Sequence, residues 1–267
     1  MADVSVLIPT CNRPAALAVT LSSLCFQEYG GFDVVISDQS ERDCRDDNAP
    51  LLTAMRLLET RGVNVAVARN LPRLGMAQQR QFLLDRARAP YSLFLDDDLL
   101  LEPYVIGMLR DVLQRERCGF AGNAVVGLSY RDDIRPEEQA IECWEGPILP
   151  EAVIPGDPEW QRHRLHNAAN TWHVQQRLQA SPDSPVLYKV AWVGGCVMYD
   201  TGRLREAGGF HFWKELPRAH CGEDVLAQLR VAARFGGCGV LPSGAYHQEL
   251  ETTVPDRRVN APEYLRV

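Results

Sequence analysis

Three consecutive carboxylates, Asp96, Asp97 and Asp98, could bind a divalent cation. Like charges held this close repel, and each carboxylate disfavours ionisation of the others. A divalent cation removes that repulsion, and hard carboxylate oxygens suit Mg²⁺ or Mn²⁺. The alternative is a solvated acidic loop whose side chains cap the next helix. Because the triplet directly follows the apolar run 93–95, which should hold it against a sheet, we expect metal and ligand binding.

A second acidic pair, Glu223 and Asp224, follows Gly222 at the start of a predicted amphipathic helix. Acidic residues are common at helix N-termini because the helix dipole and the free N–H groups there stabilise a negative charge. The same field keeps Asp224 ionised, which a general base requires before it can take a proton. Taken alone, the pair fits a structural role and a catalytic role equally well.

Two adjacent glycines, Gly194 and Gly195, lie in the predicted strand 192–196. Paired glycines weaken a strand unless another group, such as a sugar ring or a second chain, must approach the backbone closely; a β-bulge is the competing explanation. His247 follows the last predicted strand, where a lone histidine is more often structural than a ligand. The histidines of the stretch 129–185 lack zinc-binding spacing, so no zinc site is predicted.

Short apolar strands alternate with helices over the first hundred residues and must position these groups. The predicted strands are 4–8, 33–37, 63–68 and 91–95, and the predicted helices are 15–25, 51–60 and 76–88. Alternation at this spacing implies parallel strands joined by right-handed crossovers. In such a sheet, ligands bind beyond the carboxyl ends of the strands. Asp38 and residues 96–98 both follow strands, so both are expected to face one crevice.

The second half of the chain has a less regular pattern. It predicts a helix over 103–117, a strand over 119–128, a long polar stretch over 129–185, a strand pair or bent strand over 186–199, a helix over 222–235 and a strand over 240–241. Neither an internal repeat nor a clear linker interrupts it. We therefore expect an α/β fold with two lobes that share one sheet, followed by a tail that must dock to be ordered.

The composition excludes several classes of protein. The 267 residues carry 35 acidic and 28 basic side chains, for a formal net charge of −7, which argues against a nucleic-acid-binding groove or a basic membrane-binding face. The apolar run 190–199 is about half the length of a membrane-spanning helix, so no transmembrane segment is expected. The eight cysteines include no CxxC pair, and no secretory leader is apparent. We therefore expect reduced thiols in a soluble, cytoplasmic protein.

Five short motifs in this order resemble the GT-A glycosyltransferases, specifically the inverting family 2 pattern. Four of them are the opening strand 4–13, the second strand 34–40, the glycine-then-arginine segment 70–80 and the DxD motif 94–98. The pairs 194–195 and 223–224, counted together, are the fifth. The resemblance covers roughly residues 4–250. It implies one GT-A domain over 1–267, a Rossmann-like and mostly parallel sheet flanked by helices. Within it, 1–100 would be the nucleotide-binding half, 101–250 the acceptor half and 251–267 a C-terminal tail.

The resemblance implies transfer of a sugar from a UDP-, GDP- or dTDP-linked donor to a hydroxyl, with inversion at the anomeric carbon. It implies a divalent cation, Mn²⁺ or Mg²⁺, held by Asp98 with His247 as a second ligand, and Asp224 as the catalytic base. The residues implied to bind the substrates are Thr10, Arg13, Asp38, Arg80, Asp96, Asp97, Trp192, Gly194, Gly195 and Glu223. The acceptor would be a saccharide, a lipid-linked intermediate or a small molecule, and a lipid-linked acceptor would be met at a membrane surface.

The family pattern assigns these residues to different parts of the substrates. The end of the first strand would touch the nucleotide base, and Asp38 would hold the base or the ribose. Arg80 would lie near the base and the phosphates. Asp96 or Asp97 would hold the ribose or a metal-bound water, while the two glycines would lie on the acceptor side.

Two departures from the family pattern leave the nucleotide base open. Residues 38–40 read Asp-Gln-Ser where the family often has Asp-Asp-Gly-Ser, and Gln81 stands where Asn is frequent. The stretch 129–185 matches no family motif, and acceptor choice is expected to lie there. A sugar-nucleotide pyrophosphorylase is disfavoured because residues 10–14 lack its glycine-rich GxGxR-like segment. A non-catalytic carbohydrate- or nucleotide-binding protein is disfavoured because it would need no base.

Overall fold

Strand β1 (Val4–Thr10) lies inside an eight-stranded sheet in the computed structural model, which describes residues 2–265. The other elements of the first half are α1 (Pro14–Leu24), β2 (Phe32–Asp38), α2 (Ala49–Thr60), β3 (Val65–Arg69), α3 (Met76–Leu84), β4 (Tyr91–Leu95), β5 (Leu99–Leu101), α4 (Val105–Glu116) and β6 (Phe120–Gly122). They are followed by α5 (Asn170–Leu178), β7 (Val186–Tyr188), β8 (Cys196–Asp200), α6 (Thr201–Glu206), α7 (Glu223–Phe235), β9 (Gly237–Leu241), β10 (Ala245–His247) and α8 (Ala261–Tyr264). Short 3₁₀ helices occur at Leu128–Tyr130, Pro136–Glu138, Pro158–His166 and His211–Lys214.

The sheet confirms the predicted parallel crossovers. Its strand order is β3-β2-β1-β4-β8-β6-β9-β7, and β3, β2, β1 and β4 run parallel. Strand β8 is antiparallel to both of its neighbours, β9 is parallel to β6, and β7 is antiparallel at the edge. Strands β5 and β10 form a separate antiparallel ribbon. The carboxyl ends of β1 and β4 therefore lie side by side, which brings Thr10 close to the aspartates that follow β4.

Side chains of β1 supply the core on both faces of the sheet. Val6 and Ile8 belong to an apolar cluster with α1, α2 and α4, whereas Leu7 belongs to a second cluster with α3, α6 and α7. All three are fully buried. Successive strand residues point to opposite faces, and a sheet covered by helices on both faces needs apolar residues at every position. This is why residues 6–8 of β1 are apolar without interruption.

Strand β1 continues through Pro9, where the sequence pattern predicts its end. Pro9 pairs with Ser37 of β2, but pairing with β4 stops at Leu7, opposite Phe94. Proline is tolerated where a strand lacks a neighbour on one side, because its missing N–H then removes no ladder bond. The extra two residues carry Thr10 to the edge of the sheet where the aspartates lie.

The second half departs from the predictions in its strand lengths. The predicted strand 119–128 is wrong in length, since β6 ends at Gly122. Asn123 follows it fully buried, and its side-chain amide donates to the carbonyls of Val240 and Pro242 at 3.0 and 3.1 Å. The helix predicted over 76–88 likewise ends at Leu84. In both places tertiary hydrogen bonds or turns replace the regular element that the local pattern favours.

The polar stretch 129–185 contains 3₁₀ helices and α5, for which the sequence pattern predicts no element. Across the described residues, none of the helices has both the length and the apolarity needed to cross a bilayer. The tail reaches the body of the protein through α8, which packs against α7. The predicted domain also includes Met1 and residues 266–267, which lie outside the described residues.

Candidate active site

A cavity of about 800 Å³ opens at the carboxyl ends of β1 and β4. The predicted site residues that line it are Thr10, Arg13, Arg80, Asp96, Asp97, Asp98, Trp192, Glu223, Asp224 and His247. Three others, Asp38, Gly194 and Gly195, do not contribute to this lining among residues 2–265. Ligands bind beyond the carboxyl ends of parallel strands in folds of this type, so the cavity occupies the expected position.

Asp96 is the most accessible carboxylate of the triplet, with 38 % of its side chain exposed against 9 % for Asp97 and 7 % for Asp98. It follows β4 directly, and its backbone N–H donates to the carbonyl of Gly195 at 2.9 Å. One carboxylate oxygen accepts from Arg80 Nη2 at 3.2 Å. Desolvation in the cavity raises the pKa of Asp96, and the charge of Arg80 acts in the opposite direction.

Asp97 is hydrogen-bonded to the side chains of two threonines. Its carboxylate accepts a 2.6 Å hydrogen bond from Thr10 Oγ1, and its backbone carbonyl accepts one of 2.8 Å from Thr20 Oγ1. Burial raises the pKa of Asp97 to about 7, against the effect of the Thr10 hydrogen bond. The Thr10 hydroxyl is therefore committed to Asp97, and the two side chains form one fixed part of the cavity wall.

Asp98, His247 and Arg13 meet at one carboxylate oxygen. Arg13 Nη1 lies 2.6 Å from Asp98 Oδ2, and His247 Nε2 lies 3.4 Å from the same atom. His247 ends β10, whose pairing with β5 places it beside the segment that carries Asp98. The two predicted metal ligands are thus adjacent, and a guanidinium that the resemblance assigns to substrate lies against one of them.

Asp98 and His247 fit two of the ligands of a divalent cation. A carboxylate oxygen and an imidazole nitrogen at one point are donors that suit Mn²⁺, and small cations of this kind commonly complete their shell with water and substrate phosphates. Among the described residues, the group of three candidate ligands whose donor atoms lie within 4.8 Å of one another is Asp38, Asp43 and Cys44. The aspartate triplet therefore forms no three-ligand cage by itself, and it fits a cation that also takes oxygens from a bound phosphate.

Arg80 joins the aspartate triplet to α7. It is almost fully buried, with Nε 2.8 Å from Glu223 Oε1 and Nη2 3.2 Å from Asp96 Oδ1. A buried charge is tolerated only when it is paired, and the planar guanidinium donates in two directions at once. The resemblance places Arg80 near a base and phosphates, whereas the structure places it between two carboxylates of the cavity.

Asp224 lies in the first turn of α7, next to Glu223, and lines the cavity. Desolvation and the charge of Glu223 raise its pKa to about 7, and Arg80 acts in the opposite direction. Burial and the neighbouring negative charge therefore act against the helix field that is expected to keep Asp224 ionised. A carboxyl group that titrates near neutrality can both accept and release a proton at physiological pH.

Asp38 lies beyond the cavity wall, with 0 % of its surface exposed. Its carboxylate accepts from the backbone N–H groups of Ser40 at 2.8 Å and Cys44 at 2.9 Å, and it is paired with Arg69. Burial alone would raise the pKa of Asp38, but these partners hold it below its ordinary value. Both oxygens are thus used within the loop after β2, and a nucleotide-binding role for Asp38 stays a prediction.

Gly194 and Gly195 precede β8 and do not lie in a strand, so that part of the prediction is wrong. Gly195 has a φ of +77°, which glycine adopts without strain. A Cβ there would lie 2.7 Å from Val125 Cγ2 and 3.5 Å from Asp96 Oδ2. The requirement for glycine is therefore explained by close packing beside Asp96.

Sequence reasoning missed Gln228, which joins α7 to the segment that carries Trp192. Its Oε1 accepts from the Val193 N–H at 2.8 Å, and its Nε2 donates to the Val193 carbonyl at 2.7 Å. Gln228 is fully buried. Its place one turn after Asp224, within the buried face of α7, is a signal that could have identified it, because a polar residue on such a face needs partners.

Trp160 also lines the cavity and was not predicted. It belongs to the 3₁₀ helix Pro158–His166, in the stretch where the sequence matches no family motif. Together with Trp192 it packs against Val225 of α7. The apolar cluster against which it packs comes from residues 153, 191, 225 and 229, most of them distant in sequence, so local periodicity contains no signal for it.

The chain after β10 returns across the cavity; we call residues 248–260 the strap. Arg13 Nη2 donates to the carbonyl of Glu251, and the Cys221 N–H donates to the carbonyl of Val259 at 2.9 Å. The strap residues that line the cavity are Leu250, Thr252, Thr253, Val254, Arg257, Arg258 and Asn260. The predicted tail therefore forms part of the site wall.

The model of the family described as Glycosyl transferase family 2 matches residues 5–174, more than half of the chain. The chain therefore belongs to glycosyl transferase family 2 and carries a glycosyltransferase domain, as the motifs predict. No curated protein sequence matches the chain significantly.

Solved structures show the same fold. S. aureus TarS 1-349 is 15 % identical with a TM-score of 0.58, and the match covers 99 % of this chain and 62 % of TarS 1-349. The same protein with UDP-GlcNAc is 14 % identical with a TM-score of 0.55, over 95 % and 60 % of the two chains. The mannosyltransferase PcManGT from Pyrobaculum calidifontis, in complex with GDP-Man and Mn²⁺, is 14 % identical with a TM-score of 0.56, over 94 % and 58 %. The chain spans about three fifths of the length of these proteins, and at this identity the likeness establishes the GT-A fold.

Proposed function

We propose that this chain transfers a sugar from a nucleotide-diphosphate donor to an acceptor hydroxyl, with inversion, and that Asp224 is the general base. The carrying observation is that Asp224 and the aspartate triplet line one cavity, in which Arg80 joins Asp96 to Glu223, the residue before Asp224. Inverting transfer needs a base on one face of the sugar and a leaving-group site on the other. The UDP-GlcNAc complex of TarS and the GDP-Man complex of PcManGT support a sugar nucleotide as donor.

In the proposed step, Asp224 accepts the proton of the acceptor hydroxyl as that oxygen attacks the anomeric carbon. The bond between the anomeric carbon and the diphosphate breaks, and its electron pair leaves with the diphosphate. The pKa of Asp224 supports this role, because a value of about 7 leaves a large fraction of the carboxyl group ionised at neutral pH. One base is sufficient because the sugar is never bonded to the enzyme.

The charge of the cavity favours a cation-assisted leaving group. Six carboxylates and four guanidinium groups line it, so a diphosphate on its own would meet a net negative surface. Asp98 and His247 would hold a divalent cation, which supplies positive charge next to the leaving diphosphate when it is bound. The Mn²⁺ in the PcManGT complex supports a cation of this type.

The exposed carboxylate of Asp96 is proposed to accept hydrogen bonds from donor hydroxyls. Its neighbour Asp97 is already bonded to Thr10, so Asp96 is the triplet member with free acceptor capacity toward the cavity. Arg80 is proposed to hold Asp96 and Glu223 in place rather than to contact phosphate directly. In this proposal, Asp96 binds the sugar-nucleotide donor and Asp224 faces the acceptor hydroxyl.

The test is release of nucleoside diphosphate from UDP-, GDP- and dTDP-sugars with Mn²⁺, using the purified full chain. With a donor that the wild type accepts, Asp224→Asn should lower turnover by about 10²–10⁴-fold, while nucleotide affinity by calorimetry stays within about twofold. Inversion is checked by proton NMR, because an α-linked donor should give a β-linked product. Asp111→Asn, at an exposed position on α4 with 64 % of its side chain accessible, is the matched control.

Two results would overturn the proposal. Wild-type turnover in Asp224→Asn would exclude it as the base. Failure of every nucleoside diphosphate to bind in the presence of Mn²⁺ would exclude the donor class. Tight nucleotide binding without any turnover would instead favour a binding protein on a glycosyltransferase scaffold.

A further inference from the structure

Two tryptophans flank the proposed base on one side of the cavity. Trp160 and Trp192 both line the cavity and pack against Val225 and Leu229 of α7. Glu223, which begins the same helix, contacts Arg80, and Arg80 in turn contacts Asp96 of the aspartate triplet. The residue before Asp224 thus contacts the charged groups of the cavity, which suit the donor, and the residue after it belongs to the apolar cluster that contacts the two tryptophans.

His163 lies between the two indole rings and contacts both. Its Nδ1 lies 2.6 Å from the carbonyl oxygen of Trp160, and its ring is stacked with Trp192 at a centroid distance of 6.2 Å and an interplanar angle of 10°. The centroid of Trp160 lies 5.8 Å from that of His163. The three rings form one aromatic cluster, so an indole face needs no rearrangement to receive a ligand.

The 3₁₀ helix that carries Trp160 is tied to the rest of the protein. Arg162 bonds Glu142 and Glu151 at 2.8 Å each, and Leu165 is buried in the second apolar cluster. Trp160 is nevertheless only partly buried, because part of its ring faces the cavity. An anchored but partly exposed indole next to a base is a surface suited to a flat, partly apolar ligand.

Polar groups that line the same cavity as the two tryptophans determine which ligand fits. Asp224, Arg257 and Asn260 line the same cavity, so an apolar ligand would leave these groups unpaired. A pyranose ring has one apolar C–H face and a periphery of hydroxyls, which matches an indole face bordered by hydrogen-bonding side chains. A polyprenyl chain would need a continuous apolar groove, and here charged side chains interrupt it.

We propose that Trp160 and Trp192 form an acceptor subsite that stacks the apolar face of a pyranose ring, so that the acceptor is a saccharide. This inference rests on the proposed function, because it places the acceptor hydroxyl next to Asp224. It assigns Trp160 as a substrate-contacting residue, and it gives the 3₁₀ helix Pro158–His166 a role in acceptor choice.

The test compares wild type with Trp160→Ala, Trp160→Phe and the control Trp172→Ala, whose tryptophan lies on α5 away from the cavity lining. Nucleoside diphosphate release is measured with water as the only acceptor, then with methyl pyranosides of the common hexoses and N-acetylhexosamines, and separately with a polyprenyl phosphate in detergent. At least one pyranoside should stimulate release. Trp160→Ala should raise its KM about tenfold with a much smaller change in the donor KM, and Trp160→Phe should restore the acceptor KM. The control Trp172→Ala should leave the water-only rate and both KM values within about twofold.

A binding measurement separates this inference from the proposed function. Saturation-transfer NMR of the same pyranosides, without donor, should show saturation of the ring C–H protons by wild type and Trp160→Phe but not by Trp160→Ala. If no sugar nucleotide is turned over but this pattern is present, the proposed function fails and the saccharide subsite stands. The subsite is overturned if no pyranoside binds or stimulates, if only the polyprenyl phosphate is an acceptor, or if Trp160→Ala changes the donor KM as much as the acceptor KM.

Discussion

Replacement of Asp224 by asparagine should stabilise the folded protein at neutral pH while it removes the proposed base. The pKa of Asp224 is about 7 in the folded protein against an ordinary value of 3.8. Between those two pH values the folded state binds a proton that the unfolded chain has released, so the stability linked to this carboxyl is lost as the pH rises. The full difference corresponds to about 4 kcal/mol. Because the carboxyl group borders the water of the cavity, we expect about 2–4 kcal/mol.

The assay is urea unfolding of wild type and Asp224→Asn at several values between about pH 4 and about pH 8. The readout is the difference between the two unfolding free energies, because all other titrating groups are present in both proteins. That difference should be small at the acidic end and grow until the pH passes about 7, the folded-state pKa. A difference that is independent of pH, or that grows towards acid, would refute the pKa assignment and weaken the case for Asp224 as a base.

Asp38→Asn provides a control of opposite sign in the same assay. Burial opposes the shift, but hydrogen bonds from Ser40 and Cys44 and the charge of Arg69 lower the pKa of Asp38 below its ordinary value. The stability that Asp38 contributes is therefore present above the unfolded pKa and lost as the pH falls through the folded pKa. Asp38→Asn should be less stable than wild type at neutral pH, and the deficit should shrink towards acid.

Two further predictions concern the positioning of Trp192 and the cation site. Gln228→Leu leaves the N–H and carbonyl of Val193 without their partners and should lower the unfolding free energy by about 1–3 kcal/mol for each group; unchanged urea stability would show that water or another side chain replaces the amide. A nucleoside diphosphate at a hundred times its dissociation constant should add about 2.7 kcal/mol in the presence of Mn²⁺, measured as a thermal shift. That shift should disappear with a chelator and in Asp98→Asn, and a shift that survives both would contradict the cation site.

The first half of the fold, up to β4, could be predicted from local pattern. Strands β1 to β4 are apolar runs followed by polar residues, and each is separated from the next by a helix-length segment. Parallel pairing and crossover handedness follow from that alternation. The places of Asp96 and Asp224 were predictable for the same reason, since one follows a buried strand and the other begins an amphipathic helix. Their meeting in one cavity follows from the order of the strands in the sheet.

The remainder of the site depends on contacts that no local pattern contains. Arg80 meets Glu223 across 143 positions of sequence, and Arg13 meets Asp98 across 85. The family resemblance assigns each of these arginines to the substrates. The choice between a carboxylate partner and a phosphate partner is decided by distance in the folded chain. Trp160 was missed because its 3₁₀ helix is irregular and its anchoring partners lie elsewhere in the sequence.

Arg13 links the cation site to the strap. The guanidinium lies 2.6 Å from Asp98 Oδ2 and also donates to the carbonyl of Glu251 in the strap. A divalent cation bound at Asp98 Oδ2 would lie close to this positive guanidinium, and like charges at that separation repel. We therefore expect cation binding at Asp98 to weaken the contact between Asp98 and Arg13. Since Arg13 also bonds the carbonyl of Glu251, the same change would alter a contact between the strap and the rest of the site.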